Sequence, residues 1–70
     1  NAGGGPDTSS DMIGKDLPVT LEVTHYEGRV SYSGIEWQAR LDISHTQPIP
    51  VASRALVVGV DGSLLIVMPH

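Results

Sequence analysis

The 70-residue sequence contains no cysteine and only four lysine and arginine residues. Without cysteine, neither a disulfide nor a thiolate metal site can supplement a small core, so strand pairing and apolar packing must hold the fold. The four cations stand against eight acidic residues and give a net charge of −4. This charge is unfavourable for binding DNA or RNA unless the cations cluster. Seventy residues suffice for one small domain with little room for a deep active site.

The sequence also lacks a long hydrophobic run. No stretch approaches the roughly 20 apolar residues that cross a bilayer, and no signal peptide opens the chain. The chain starts at Asn1 rather than at methionine, so we expect it to be part of a longer protein. Residues 1–11, NAGGGPDTSSD, are rich in glycine, serine and aspartate and are predicted to be a flexible linker. Residues 12–70 are predicted to form the domain.

Beyond residue 11, β-branched and aliphatic residues are interrupted by turn signals at short intervals, which is typical of a sandwich or barrel of short strands. The first strand is predicted over residues 17–24. Its apolar residues alternate with polar ones and should form one buried face. The predicted inward residues are Leu17, Val19, Leu21 and Val23.

A hairpin is predicted around a two-residue turn at Ser33-Gly34. This register gives one apolar and one polar face, whereas a slip by one residue would mix them. The facing pairs are Tyr32–Ile35, Val30–Trp37 and Gly28–Ala39 on one face, and Ser31–Glu36, Arg29–Gln38 and Glu27–Arg40 on the other.

A second hairpin is predicted around Asp61-Gly62, which favours a type I′ turn and would pair Val58 with Leu65 and Val57 with Ile66. It is apolar on both faces, so something must cover the second face, either the linking segments or a partner. One predicted face holds Leu56, Val58, Val60, Leu65 and Val67, and the other holds Val57, Leu64, Ile66 and Met68. The candidate protein interface consists of Leu56, Val58, Leu65, Ile66 and Val67.

Between the hairpins, residues 42–54 contain Pro48 and Pro50 and are predicted to be a long connection from one sheet region to another. Five strands in this order, with Gly28 and Gly59 where strands could bend, predict an all-β, five-stranded OB-fold-like barrel. An SH3-like barrel is the nearest alternative.

Two polar clusters are candidates for chemistry, and neither is predicted to perform it. Asp42, Ser44 and His45 are close in sequence, but a loop does not by that alone align a nucleophile, a base and an orienting carboxylate. Capping of their own backbone is the favoured interpretation. His25, His45 and His70 lack the paired spacing of metal ligands. We therefore predict no catalytic residue, no metal site and no cofactor.

Tyr32 and Trp37 could be stacking platforms for single-stranded nucleic acid, as in some OB folds. The predicted register places them instead on the apolar face, and it matches the outward Arg29 and Arg40 with acidic residues. Core packing is therefore favoured, and neither nucleic acid nor a small-molecule substrate is the predicted partner.

Three segments together resemble a known family: MIGK at residues 12–15, EGRV at 27–30 leading to GIEWQA at 34–39, and VVGVDGSLLIV at 57–67. They are similar to the C-terminal soluble domain of NfeD-like membrane proteins. Before the fourth strand the family usually has a glycine-containing turn, and here residues 51–54, VASR, stand instead. Long members carry an upstream serine protease domain, which nothing in this chain resembles.

The resemblance implies a five-stranded OB-fold barrel that follows transmembrane helices and assembles with membrane scaffold proteins of the stomatin, prohibitin or flotillin type. The expected function is a non-catalytic interaction domain that regulates membrane organisation or protein quality control. We expect it at the cell membrane, on the cytoplasmic face. The alternative is an oligonucleotide- or oligosaccharide-binding OB module, which rests on fold analogy alone.

Overall fold

The computed structural model describes residues 12–70, which form a closed barrel of five strands. The all-β, OB-fold-like prediction is confirmed. The order around the barrel is β1-β2-β3-β5-β4, and β4 closes it against β1. All pairings are antiparallel except that of β3 with β5, which is parallel. The strands are β1 Asp16–Leu21, β2 Arg29–Tyr32, β3 Ile35–Leu41, β4 Arg54–Asp61 and β5 Leu64–Pro69. The linker predicted over residues 1–11 lies outside the described residues.

The barrel interior is filled by aliphatic side chains of small and medium size, which suits a barrel of this strand number. Met12 precedes β1 but also packs into the core, and only 2% of it is exposed. Each fully buried valine, leucine, isoleucine or methionine side chain stabilises the fold by about 1.5–3 kcal/mol relative to its exposed state. The buried core consists of Met12, Leu17, Val19, Val23, Val30, Ala39, Leu41, Ile49, Ala55, Val57, Leu65 and Val67.

The β2–β3 hairpin has the predicted register. Tyr32 faces Ile35, and Val30 faces Trp37. Ser33 and Gly34 have positive φ angles of 52° and 80°, as a type I′ turn requires. The tight turn and the two-sided pattern together fix this register.

The prediction of one regular strand over residues 17–24 is wrong at its second half. Val19 faces Val30, but Leu21 already faces Arg29, so β1 carries a bulge between these positions. A bulge turns the following side chain out of alternation. Leu21 is consequently 41% exposed, while Val23, beyond the strand, is fully buried.

The predicted register of the second hairpin is also wrong. Val60 faces Leu65, and Asp61 faces Leu64, so the turn residues are Gly62 and Ser63. Of these two, only Gly62 has a positive φ, at 65°. Glycine at the first central position is the requirement of a type II′ turn, which here replaces the expected type I′ turn.

A second bulge, at Val58, exchanges the faces of β4. Gly59 faces Ile66, whereas Val57 faces Val67, so Val58 has no direct partner on β5. Val57 is 1% exposed and belongs to the core, and Val58 is 38% exposed. The predicted faces of β4 are therefore wrong for Leu56, Val57 and Val58, because the extra residue inverts the alternation on the side away from the turn.

The long connection between β3 and β4 runs as predicted from one part of the barrel to another. Ile49 and Val23 exchange two backbone hydrogen bonds of 3.0 Å each, which tie the connection to the barrel. Ala52 has φ of 76°, a left-handed conformation that usually requires glycine. The turn therefore keeps a glycine-like backbone although its sequence is VASR.

Candidate partner-binding surface

An aliphatic surface covers the outside of the β4–β5 hairpin, and we call it the outer stripe. Because Leu65 and Val67 are fully buried, the alternate residues of β5 must point outward. Leu56 faces Met68 across the two strands and shares its side. The outer stripe consists of Leu56, Val58, Leu64, Ile66 and Met68, which are partly buried apart from the exposed Val58.

Charged side chains border the outer stripe on both sides. Arg40 of β3 lies next to Ile66, and its guanidinium donates to the carbonyl oxygen of Ala39 at 3.0 Å. Asp16 of β1 lies next to Leu56, and its Oδ2 is 3.6 Å from Arg54 Nε and 3.6 Å from His70 Nδ1. An apolar centre with a charged rim is the usual anatomy of a protein interface.

The structure divides the five predicted interface residues between two sides of the barrel wall. Leu65 and Val67 are fully buried in the core, and a partner cannot reach them without unfolding. Leu56, Val58 and Ile66 lie outside, in the outer stripe. The outer stripe also contains Leu64 and Met68, which the sequence prediction did not include. The alternation of β5 around Leu65 was the signal that could have assigned them.

The cluster of Asp42, Ser44 and His45 forms a local turn. The Ser44 amide donates to Asp42 Oδ2 at 3.1 Å, and the His45 amide donates to the Asp42 carbonyl oxygen at 2.9 Å. This arrangement matches the predicted backbone capping. The Ser44 hydroxyl donates to the Asp42 carboxylate itself, and His45 Nδ1 lies 3.1 Å from the hydroxyl oxygen. In a nucleophilic triad the histidine would instead lie between the serine and the carboxylate.

Hydrogen bonds from the Ser44 side chain, and then from its backbone, hold the pKa of the Asp42 carboxyl below its ordinary value. A nearby His45 ring, 3.7 Å from Asp42 Oδ2, acts in the same direction. The lowered pKa thus follows from the local turn that keeps the carboxylate charged.

The side chains of the three histidines do not lie together. His25 Nε2 lies 2.7 Å from the carbonyl oxygen of His45, while His70 lies beside Asp16. Within residues 12–70, no group of three histidine, cysteine, aspartate or glutamate side chains has a metal-binding arrangement.

Tyr32 and Trp37 pack against the core but are only partly buried. They lie on the inward-facing side of the hairpin, as predicted. On the opposite face, Arg29 pairs with Glu36 at 3.3 Å.

The family model of the NfeD-like C-terminal, partner-binding domain matches residues 9–69. The chain belongs to this family. The match spans the whole barrel. The barrel is therefore an NfeD-like partner-binding domain. A search of curated protein sequences gave no significant match.

Two solved structures share the fold. The C-terminal domain of stomatin operon partner protein 1510-C from Pyrococcus horikoshii is 31% identical, with a TM-score of 0.75 over 87% of this chain and 91% of that chain. The soluble domain of a membrane protein implicated in regulation of membrane protease activity from Corynebacterium glutamicum is 25% identical, with a TM-score of 0.73 over 83% of this chain and 90% of that chain. In residues 12–70 no helix is long and apolar enough to span a bilayer.

Proposed function

We propose that this NfeD-like domain is a non-catalytic module that binds a membrane scaffold protein of the stomatin type through the outer stripe. The observation that carries the proposal is the second apolar layer on the outside of β4 and β5. The barrel interior is already filled by other residues, so this layer is not needed to complete the core. The family description and the stomatin operon partner among the similar structures support a protein as the occupant.

The outer stripe is large enough to supply binding energy. Its five aliphatic side chains keep part of their surface in water, and removing that surface at about 25 cal/mol per Å² would contribute several kcal/mol. The bordering Arg40, Asp16 and Arg54 would then fix the orientation of the partner more than its affinity. Val58, held outward by the bulge, is the most exposed member, at 38%.

Prohibitin- and flotillin-type scaffold proteins belong to the same proposal, because an apolar surface of this kind would suit any of them.

The cellular role would be regulation of membrane organisation or of protein quality control, with the domain on the cytoplasmic face of the membrane. The soluble domain from Corynebacterium glutamicum, from a protein implicated in regulation of protease activity, supports this role. A folding-dependent reporter fused after His70 should be active in the cytoplasm, and activity only outside the membrane would refute the assignment of the face.

Nucleic acid is a less favourable partner because the cations of the barrel do not form a free basic surface. Arg29 pairs with Glu36, and Arg54 with Asp16. Lys15 lies over the ring of Tyr32, and Arg40 donates to a backbone carbonyl. Titration with labelled single-stranded DNA or RNA at low salt should therefore give no saturable binding.

The test compares two isoleucine substitutions. Ile66→Glu places a charge in the outer stripe, and Ile43→Glu places the same charge on a side chain that is 90% exposed elsewhere. Both variants should stay folded in a thermal melt. Ile66→Glu should weaken binding to the stomatin-type protein of the same organism at least tenfold, because a buried interfacial charge without a partner is costly. Ile43→Glu should bind normally.

The proposal is contradicted if folded Ile66→Glu binds as tightly as the unsubstituted chain. Leu65→Glu serves as the third variant. It places a charge in the barrel interior, where Leu65 is fully buried, and should unfold the domain.

A further inference from the structure

A second apolar surface lies at the end of the barrel that carries the β2–β3 turn. The cross-strand pairs place Tyr32, Ile35 and Trp37 on the same side as the buried Val30. However, β1 pairs with β2 only as far as Val30, and β5 pairs with β3 only from Ala39 onward. The hairpin tip therefore extends past its neighbouring strands. Ile35 is 59% exposed as a result.

The segment before β1 reaches the same end of the barrel. The Lys15 ammonium lies 5.9 Å from the centre of the Tyr32 ring, within the range of a cation–π contact. Ile13, two residues earlier, is 51% exposed. We call this surface the hairpin patch. It consists of Ile13, Lys15, Tyr32, Ile35 and Trp37.

The hairpin patch lies where the chain enters the barrel. The carbonyl oxygen of Met12 accepts a hydrogen bond of 2.9 Å from the amide of Lys15, so the chain enters the barrel beside the patch. The family describes this domain as C-terminal, so the rest of a family member precedes it in sequence. One of the similar structures is the soluble domain of a membrane protein.

The composition of the hairpin patch identifies the occupant that suits it. Tyrosine and lysine beside exposed aliphatic residues are side chains that anchor proteins at the membrane–water interface. Trp37 contributes only part of its ring to the patch, because its indole Nε1 is buried and has no hydrogen-bond partner within residues 12–70. Glu36, the carboxylate of the hairpin tip, is paired with Arg29 at 3.3 Å, which reduces its repulsion of lipid phosphates. We propose that the hairpin patch rests on the lipid headgroups of a membrane and orients the barrel end-on. The outer stripe lies on the side wall and stays accessible to a protein partner.

The contact is small, so its strength depends on attachment of the chain to the membrane. Attachment raises the effective concentration of a weakly binding surface to the millimolar range. The chain has no cysteine, so a single cysteine added before Asn1 can be coupled to a maleimide lipid in vesicles. This arrangement keeps the full chain and attaches it on the N-terminal side of the barrel.

The only tryptophan of the chain, Trp37, reports on the contact. On coupling to phosphatidylcholine vesicles, with and without phosphatidylglycerol, its emission should move to shorter wavelength and be quenched by lipids brominated near the headgroup. Ile35→Ser should reduce the quenching several-fold. Ile43→Ser is the matched control, because Ile43 is 90% exposed and follows the opposite end of β3.

The proposal is overturned if the coupled chain shows neither the shift nor the quenching, or if the two serine variants lose quenching equally. A spectral shift that grows with protein concentration without lipid would assign the patch to a second copy of the chain. A shift caused by the stomatin-type protein without lipid would assign it to that partner, and both outcomes also overturn the proposal. Binding of the stomatin-type protein through Ile66 is measured separately, so failure of one proposal leaves the other intact.

Discussion

Replacement of Gly28 by alanine tests a close approach of two backbone segments in the barrel. A Cβ atom at this position would lie 2.6 Å from the Cα of Val23 and 2.8 Å from its Cγ2. Val23 cannot easily move away, because it is fully buried and exchanges two backbone hydrogen bonds with Ile49. The φ angle of Gly28, 155°, is also one that residues with a side chain rarely adopt.

The expected loss of stability in Gly28→Ala has two causes, the clash with Val23 and the φ angle of residue 28. Forced displacement in a packed core costs about 1–3 kcal/mol, and an unfavourable backbone conformation costs a further 1–3 kcal/mol or so. A domain of 70 residues has a total stability of roughly 4–10 kcal/mol. Gly28→Ala should therefore remove a large part of the stability and could leave the domain mostly unfolded.

Gly34→Ala is the matched control. Gly34 has a positive φ of 80°, but a Cβ there would meet no atom within 4 Å. It should cost only about 1–2 kcal/mol, which is the penalty of the left-handed backbone alone. Urea unfolding followed by Trp37 fluorescence measures both variants. If Gly28→Ala is no more destabilising than Gly34→Ala, the close contact with Val23 does not constrain the barrel as described.

Three further predictions concern other parts of the barrel. Ala52→Gly should raise the free energy of unfolding by about 0.5–1 kcal/mol, because it relieves the left-handed conformation at φ of 76°; a lower thermal midpoint would contradict this. Leu65→Ala should cost about 2–5 kcal/mol in urea unfolding and Met68→Ala clearly less, since Leu65 is fully buried and Met68 is not; equal costs would refute the assignment of faces. Ser44→Ala should raise the pKa of Asp42 toward its ordinary value of 3.8, measured by carboxyl NMR. Because the pKa of Asp42 in the folded chain lies below 3.8, the turn's contribution to the free energy of unfolding is present above pH 3.8 and is lost as the pH falls through the folded pKa. An Asp42 titration that Ser44→Ala leaves unchanged would show that Ser44 does not lower this pKa.

The sequence was sufficient to predict the register of the β2–β3 hairpin because its two faces differ. Val30 and Trp37 must share one face, while Arg29 and Gln38 share the other, and a slip of one residue destroys both sets. The number of strands and the barrel class followed from turn signals between such segments.

The β4–β5 hairpin was harder to predict because both of its faces are aliphatic. Without a polar face, the pattern does not reveal that Val58 bulges outward or that the turn uses Gly62 as its first central residue. The predicted interface therefore mixed the core residues Leu65 and Val67 with residues of the outer stripe. The parallel pairing of β3 with β5 has no local sequence signal, since it joins distant segments.

The most direct test of the partner-binding account is a methyl NMR titration of the folded chain with the stomatin-type protein. The account predicts that the methyl signals of Leu56, Val58, Ile66 and Met68 shift or broaden first, while those of Ile43, which is 90% exposed and outside the outer stripe, stay unchanged. Saturable binding that leaves the outer stripe unperturbed and moves signals elsewhere on the barrel would contradict it.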